Sequence, residues 1–136
     1  MSRVTPAVAA TVRARAQHRC EYCHLRPEWT IMPFQVDHII AQKHRGDSQE
    51  QNLAFACLRC NARKGPNVAG VNPVEGQITP LFHPRHDVWE EHFEWHGAWL
   101  FGRTARARAT IDVLGINDAE AVQAREGMMT EGRNFG

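Results

Sequence analysis

A chain of 136 residues, 43% hydrophobic and 23% charged, has the balance of an ordinary folded protein with room for one domain and little more. No apolar run approaches the roughly 20 residues of a membrane span. Arg13 and Arg15 interrupt what would have to be the apolar segment of a secretory signal, so the reading is a cytoplasmic protein with no membrane partner. The net charge of +1 hides an asymmetry: residues 1–64 hold ten Lys/Arg against five Asp/Glu, whereas residues 65–136 hold six against ten. A basic first half suits a polyanionic partner, although a solvated surface accounts for the count equally well.

In chain order, Thr5 and Pro6 read as N-cap and first position of a helix running to His18, with Val8, Val12 and Ala16 at helical spacing. Cys20-Glu-Tyr-Cys23 is a tight turn. Residues 34–39 alternate and are β-branched, which predicts a strand. Residues 41–52 are polar, with Gly46, Asp47 and Ser48 marking a loop, and Leu53–Ala56 is a second short strand. Cys57-Leu-Arg-Cys60 is another turn, and a helix is expected to open at Asn61–Lys64. Four prolines and three glycines between Gly65 and Pro84 read as a wrapping arm, not a hinge. Residues 93–101 predict a hairpin turning at His96-Gly97. Thr104 caps a helix to about Leu114, stopped by Gly115, and Asn117 or Asp118 caps a last, weaker one. Trp89, Trp95, Trp99, Phe93 and Phe101 are expected in the core, with stacking on bases as the lesser reading. His18, His24, His83, His86, His92 and His96 are expected to be surface or structural residues.

The cysteines form two C-x₂-C pairs, 20/23 and 57/60, separated by 33 residues. Each turn presents two thiolates to one side, and four complete a closed tetrahedral shell, so Cys20, Cys23, Cys57 and Cys60 read as ligands of a structural Zn²⁺. Disulfides compete less well in a cytoplasmic chain. A thioredoxin-like redox pair lacks its βαβ context. A shell closed by four thiolates leaves no open position for catalysis.

The order Cys20-Glu-Tyr-Cys23, Val36-Asp-His-Ile39, Asn52-Leu53 and Cys57-Leu-Arg-Cys60-Asn61-Ala-Arg-Lys64-Gly65 resembles the HNH endonucleases, the ββα-metal or His-Me finger nucleases. The likeness is specific over residues 20–65 and looser through residues 78–82 and the Trp-rich hairpin, which are similar to a tail of some bacterial members. It implies an α+β fold: a ββα-metal core over residues 15–66, stapled by the Cys₄ zinc site. An N-terminal helix and a C-terminal hairpin-plus-helix extension over 67–136 complete a single domain, 1–136. The resemblance makes His38 the general base that activates water. Asp37 and Asn61 become oxygen ligands of one catalytic Mg²⁺ or Mn²⁺, and Asn52 the residue that braces the loop and orients the imidazole. Asn61 stands where the family name has its second His, which makes this an H-N-N variant and favours harder ions. Arg59, Arg63 and Lys64 surround Asn61 and are expected to bind a nucleic-acid backbone, Lys64 foremost, and His44 to touch a phosphate.

The expectation is thus a metal-dependent endonuclease that hydrolyses DNA to 5′-phosphate and 3′-hydroxyl ends. A zinc-stabilised nucleic-acid-binding module without cleavage is the alternative, and a redox protein using its C-x₂-C pairs is a third. The Asp37, His38 and Asn61 set separates them, because a pure binder has no need of a base beside two metal ligands.

Overall fold

The computed structural model describes residues 3–136, and the chain divides into two compact units, residues 1–68 with 83–86 and residues 69–82 with 87–136. In the first unit, helix α1 (Pro6–Arg15) begins as its sequence dictates: Thr5 Oγ1 accepts the Val8 N–H at 3.2 Å and Pro6 occupies the first turn. It ends a turn earlier than expected because Gln17 and His18 take left-handed backbone, with φ of 58° and 54°. The inner face of α1, Val12 and Ala16, packs on Leu53 and Phe55, flanked by Val4, Val8, Phe34 and Val36. Val12 and Leu53 are fully buried, and each is worth roughly 1.5–3 kcal/mol when removed from water.

Strand β1 (Gln35–His38) pairs antiparallel with β2 (Leu53–Ala56), Asp37 opposite Ala54 and His38 opposite Leu53. The first cysteine turn is tied to this hairpin: the Glu21 N–H donates to the Phe55 carbonyl at 2.9 Å, and the Glu21 carboxylate accepts the Phe55 N–H at 2.8 Å. Arg85 pairs with the same carboxylate. Helix α2 (Leu58–Lys64) follows β2 directly. It opens three residues before the position expected because Cys57 is its N-cap, the Sγ accepting the Cys60 N–H at 3.4 Å in the manner of a capping Ser or Asp. The second cysteine turn and the first turn of α2 are therefore the same stretch of chain.

In the second unit, part of the expected arm forms a small hairpin, β3 (Ala69–Val71) with β4 (Ile78–Pro80). A single helical turn, α3 (Trp89–His92), leads into β5 (Phe93–His96), which pairs with β6 (Trp99–Gly102) across the Gly97-Ala98 turn. Gly97 has φ of 60°, which a two-residue hairpin turn asks of it. Helix α4 (Ala105–Leu114) is capped by Thr104 and stopped by left-handed Gly115, and α5 (Ala119–Thr130) follows Asp118. Phe93, Leu100, Leu114 and Ile116 form the interior.

The aromatic expectation needs correction. The pleat turns Phe93 and Leu100 inward but leaves Trp99 51% and Phe101 43% exposed, because alternate residues of a strand face opposite sides. Trp89 and Trp95 are half-buried, and the buried Arg125 lies 5.2 Å over the Trp95 ring. Of the lone histidines, His83 and His86 stack at 3.9 Å and His92 Nδ1 bonds Thr104 Oγ1 at 2.6 Å, a structural use. No helix among the described residues is long and apolar enough to cross a membrane.

Candidate active site

The four cysteines, far apart in sequence, converge. Their sulfurs all lie within 4.8 Å of one another, Cys23 and Cys57 at 3.7 Å, and all four residues are buried with no disulfide among them. Tetrahedral Zn–S bonds of about 2.3 Å place sulfurs about 3.8 Å apart, so the cluster has the dimensions of a closed zinc site. Hydrogen bonds from Cys20, Cys23 and Cys60 hold the Cys57 thiol far below its ordinary range, while bonds to neighbouring sulfurs and burial push Cys23 and Cys60 well above theirs. Ionising all four of these buried thiols would need a cation among them, as a zinc ion would be.

The β1–β2 hairpin and α2 together frame a cleft of about 440 Å³ lined by Asp37, His38, Gln42, Lys43 and Asn61. Asp37 and His38, adjacent on β1, reach it differently. Asp37 is 4% exposed, its Oδ2 accepting the Tyr22 hydroxyl at 2.8 Å and its Oδ1 facing Lys64 Nζ at 3.3 Å. Burial raises the Asp37 carboxyl above the ordinary carboxylate range, against the opposing pull of Lys64 and the Tyr22 hydrogen bond. Burial likewise lifts the Tyr22 phenol well above its usual value, with the Asp37 charge adding to it. The His38 side chain is half-buried, and its Nε2 lies 2.9 Å from Ser48 Oγ.

Behind the imidazole, Asn52 closes the loop. Its Oδ1 accepts the Ile40 N–H at 2.9 Å, and its Nδ2 donates to the carbonyls of Ile40 at 2.9 Å and Asp47 at 2.8 Å. The closure brings Gly46 so near that a Cβ there would stand 1.6 Å from the Ile40 carbonyl oxygen, so only glycine fits.

Asp37, His38 and Asn61 are thus brought to one cleft, with Asn52 bracing the loop behind it. Lys64 departs from expectation. It is 1% exposed, its ammonium donating to the His38 carbonyl at 3.0 Å and paired with Asp37, so it is an internal partner of the site and cannot be a phosphate contact. Its position in the helix explains this: with Cys60 it forms the inward face of α2. Arg59 and Arg63 line a different groove, and Lys43, not the exposed His44, lines the cleft.

Two residues of the site, Tyr22 and Ser48, were not singled out by sequence. Tyr22 is the chain's one tyrosine and sits between the first two cysteines, a signal that was there to be read. Ser48 carried only the signature of a turn.

The donors fit a hard divalent ion. A carboxylate has about four lone-pair sites, so Tyr22 and Lys64 leave Asp37 acceptor capacity, and Asn61, whose side chain carries an amide oxygen, lines the same cleft.

Comparison with known proteins agrees with this geometry. Residues 20–67 match the family model of the HNH endonucleases. The chain is 22% identical over 117 residues to Septu protein PtuB of Bacillus thuringiensis, covering 85% of this chain and 43% of that protein. It is 25% identical over 113 residues to Septu protein PtuA of Bacillus mycoides (strain KBAB4), covering 75% of this chain and 15% of that one. The chain therefore spans less than half the length of these curated relatives, and no solved structure matches it significantly. With its hairpin, helix and cysteine cluster in that arrangement, the segment 20–67 is an HNH endonuclease domain of the ββα-metal type.

Proposed function

We propose that this chain is a metal-dependent endonuclease that hydrolyses DNA phosphodiester bonds, with Cys20, Cys23, Cys57 and Cys60 holding a structural zinc. The observation that carries the reading is His38: one imidazole nitrogen is bonded to Ser48, and the residue shares its cleft with Asp37 and Asn61. With Nε2–H donated to Ser48, Nδ1 keeps its lone pair and takes a proton from an incoming water. The water oxygen forms the new bond to phosphorus, the bond from phosphorus to the 3′-oxygen breaks, and that oxygen is protonated from solvent. The products are a 5′-phosphate and a 3′-hydroxyl.

Asp37 and Asn61 would hold Mg²⁺ or Mn²⁺, which supplies charge stabilisation for the phosphoryl oxygen and the departing alkoxide. Lys64 and Tyr22 hold the Asp37 carboxylate in place on its buried side, so it meets the cleft preorganised. Asn52 and Ser48 act through the imidazole as positioning residues.

The test is incubation of the purified protein with supercoiled plasmid. Nicking that needs added Mg²⁺ or Mn²⁺, and stops with EDTA at concentrations that leave the zinc bound, is the expected result. Tight plasmid binding without cleavage under any divalent ion would instead identify a zinc-stabilised binding module.

A further inference from the structure

Within the first unit, the segment joining the first cysteine turn to β1 ends in an unusual tip. Ile31 is 100% exposed and Met32 50% exposed, followed by Pro33. Single exposed apolar residues need no explanation, but this tip is held out by its surroundings. Pro27–Trp29 forms a tight helical turn, with the Arg26 guanidinium 5.9 Å from the Trp29 ring centre. Thr30 Oγ1 accepts the Met32 N–H at 3.1 Å, and beyond the tip the Phe34 ring lies 4.8 Å from that of Phe55 in the core. Both ends of the loop are anchored, so the isoleucine does not fold back onto the protein.

Met32 also lines a groove of about 410 Å³, together with apolar Leu25, Leu58 and Ala62 and the cationic Arg59 and Arg63. These arginines lie on α2, the helix whose Asn61 lines the cleft with His38. The unit bearing tip and groove holds eleven Lys/Arg against five Asp/Glu, and Glu28 is the one acid near the loop in sequence.

Resting on the nuclease reading above, we propose that Ile31 and Met32 form an apolar wedge that enters a base step of duplex DNA, with Arg59 and Arg63 on the flanking phosphates. Apolar side chains inserted between bases unstack and kink a duplex, and cationic neighbours hold the strands that are pushed apart. The two arginines favour a polyanion over the apolar strip of a partner protein. Groove and cleft are lined by different residues of α2 and its flanks, Leu58, Arg59, Ala62 and Arg63 for the groove and Asn61 and Gly65 for the cleft. The wedge then selects duplexes that are easy to open where it enters, such as those with a flexible pyrimidine–purine step there.

The experiment uses the full chain with Ca²⁺ in place of Mg²⁺, and short DNA duplexes carrying 2-aminopurine at successive positions. Wild-type protein should raise the fluorescence several-fold at one or two adjacent positions. The Ile31→Ser/Met32→Ser double variant should lose that rise and bind about ten- to a hundred-fold more weakly, the worth of one or two buried apolar side chains. Ile31→Phe should keep the rise. Because these positions are exposed, unchanged thermal unfolding of the variants will show that folding is intact. Wild-type binding with no rise at any position, or a rise that survives the double variant, overturns the wedge. Plasmid nicking is followed in parallel: nicking without unstacking defeats the wedge alone, whereas neither nicking nor duplex binding defeats the nuclease reading with it.

Discussion

The ammonium of Lys64 lies 3.3 Å from Asp37 Oδ1, with both side chains almost wholly enclosed. A lysine four residues past the last cysteine belongs by composition to the surface, yet here it is the buried counter-charge of the carboxylate that faces the cleft. Removing it leaves that carboxylate with Tyr22 as its remaining side-chain partner. Lys64→Met should therefore destabilise the protein by about 3–5 kcal/mol, the usual cost of breaking a buried pair from one side. Arg63→Ala, an exposed neighbour, should stay within about 0.5 kcal/mol of wild type. Denaturant titration of the two variants checks this, and equal stabilities would mean that the Lys64 interaction has no structural weight.

The cysteine cluster should carry about one zinc per chain, measurable by native mass spectrometry and elemental analysis. Cys57→Ser should lower solubility and the unfolding midpoint, since it removes a ligand and alters the cap of α2 together. Two disulfides in place of the metal would contradict the closed tetrahedral site.

His38→Ala should reduce cleavage by about 10² to 10⁴, the ordinary worth of a positioned base, while leaving DNA affinity nearly unchanged. Asp37→Ala should also abolish cleavage, but through its metal, so raised Mn²⁺ should restore part of it. The same Mn²⁺ should do nothing for His38→Ala. Single-turnover rates paired with binding isotherms separate the two, and a wild-type rate for His38→Ala would remove the base assignment.

Ser48→Ala should slow single-turnover cleavage by about ten- to a hundred-fold at constant affinity, the cost of one hydrogen bond to a group that becomes charged. Nitrogen-15 spectra of the imidazole should show a mixture of tautomers in the variant where wild type has one. A slowed enzyme with an unchanged His38 spectrum would assign Ser48 a merely structural part in the loop.

Local signals carried much of the fold. Thr5-Pro6, Thr104 with Gly115, and the β-branched run at β1 act over a few residues, so α1 begins, α4 begins and ends, and β1 lies where these signals put them. The two C-x₂-C pairs were equally legible, because ligand spacing is a local constraint with a long-range result. What the sequence withheld depends on tertiary placement. Seven residues of α2 are too few for a periodic pattern, so the inward turn of Lys64 could not be read from it. The outward turn of Trp99 and Phe101 follows from hairpin register, which composition does not report. Ser48 looked like any polar turn residue until the loop folded it against His38, and the β3–β4 hairpin is built from three-residue strands too short to signal themselves.

On the proposed reading, helix α2 and its cap serve two metal sites at once. Cys57 caps it, Cys60 adds its sulfur to the cluster from the first turn, Asn61 lines the cleft and Lys64 pairs with Asp37. In that stretch the residues of the cysteine cluster also set the register of those that face the cleft. Loss of the structural ion would therefore release the start of the helix and displace two groups of the cleft in one event. If the proposed nuclease reading holds, an oxidant or a strong chelator that reaches the sulfurs should silence cleavage without touching His38, and reloading zinc should restore it. The cysteine cluster can act as an interlock as well as a staple.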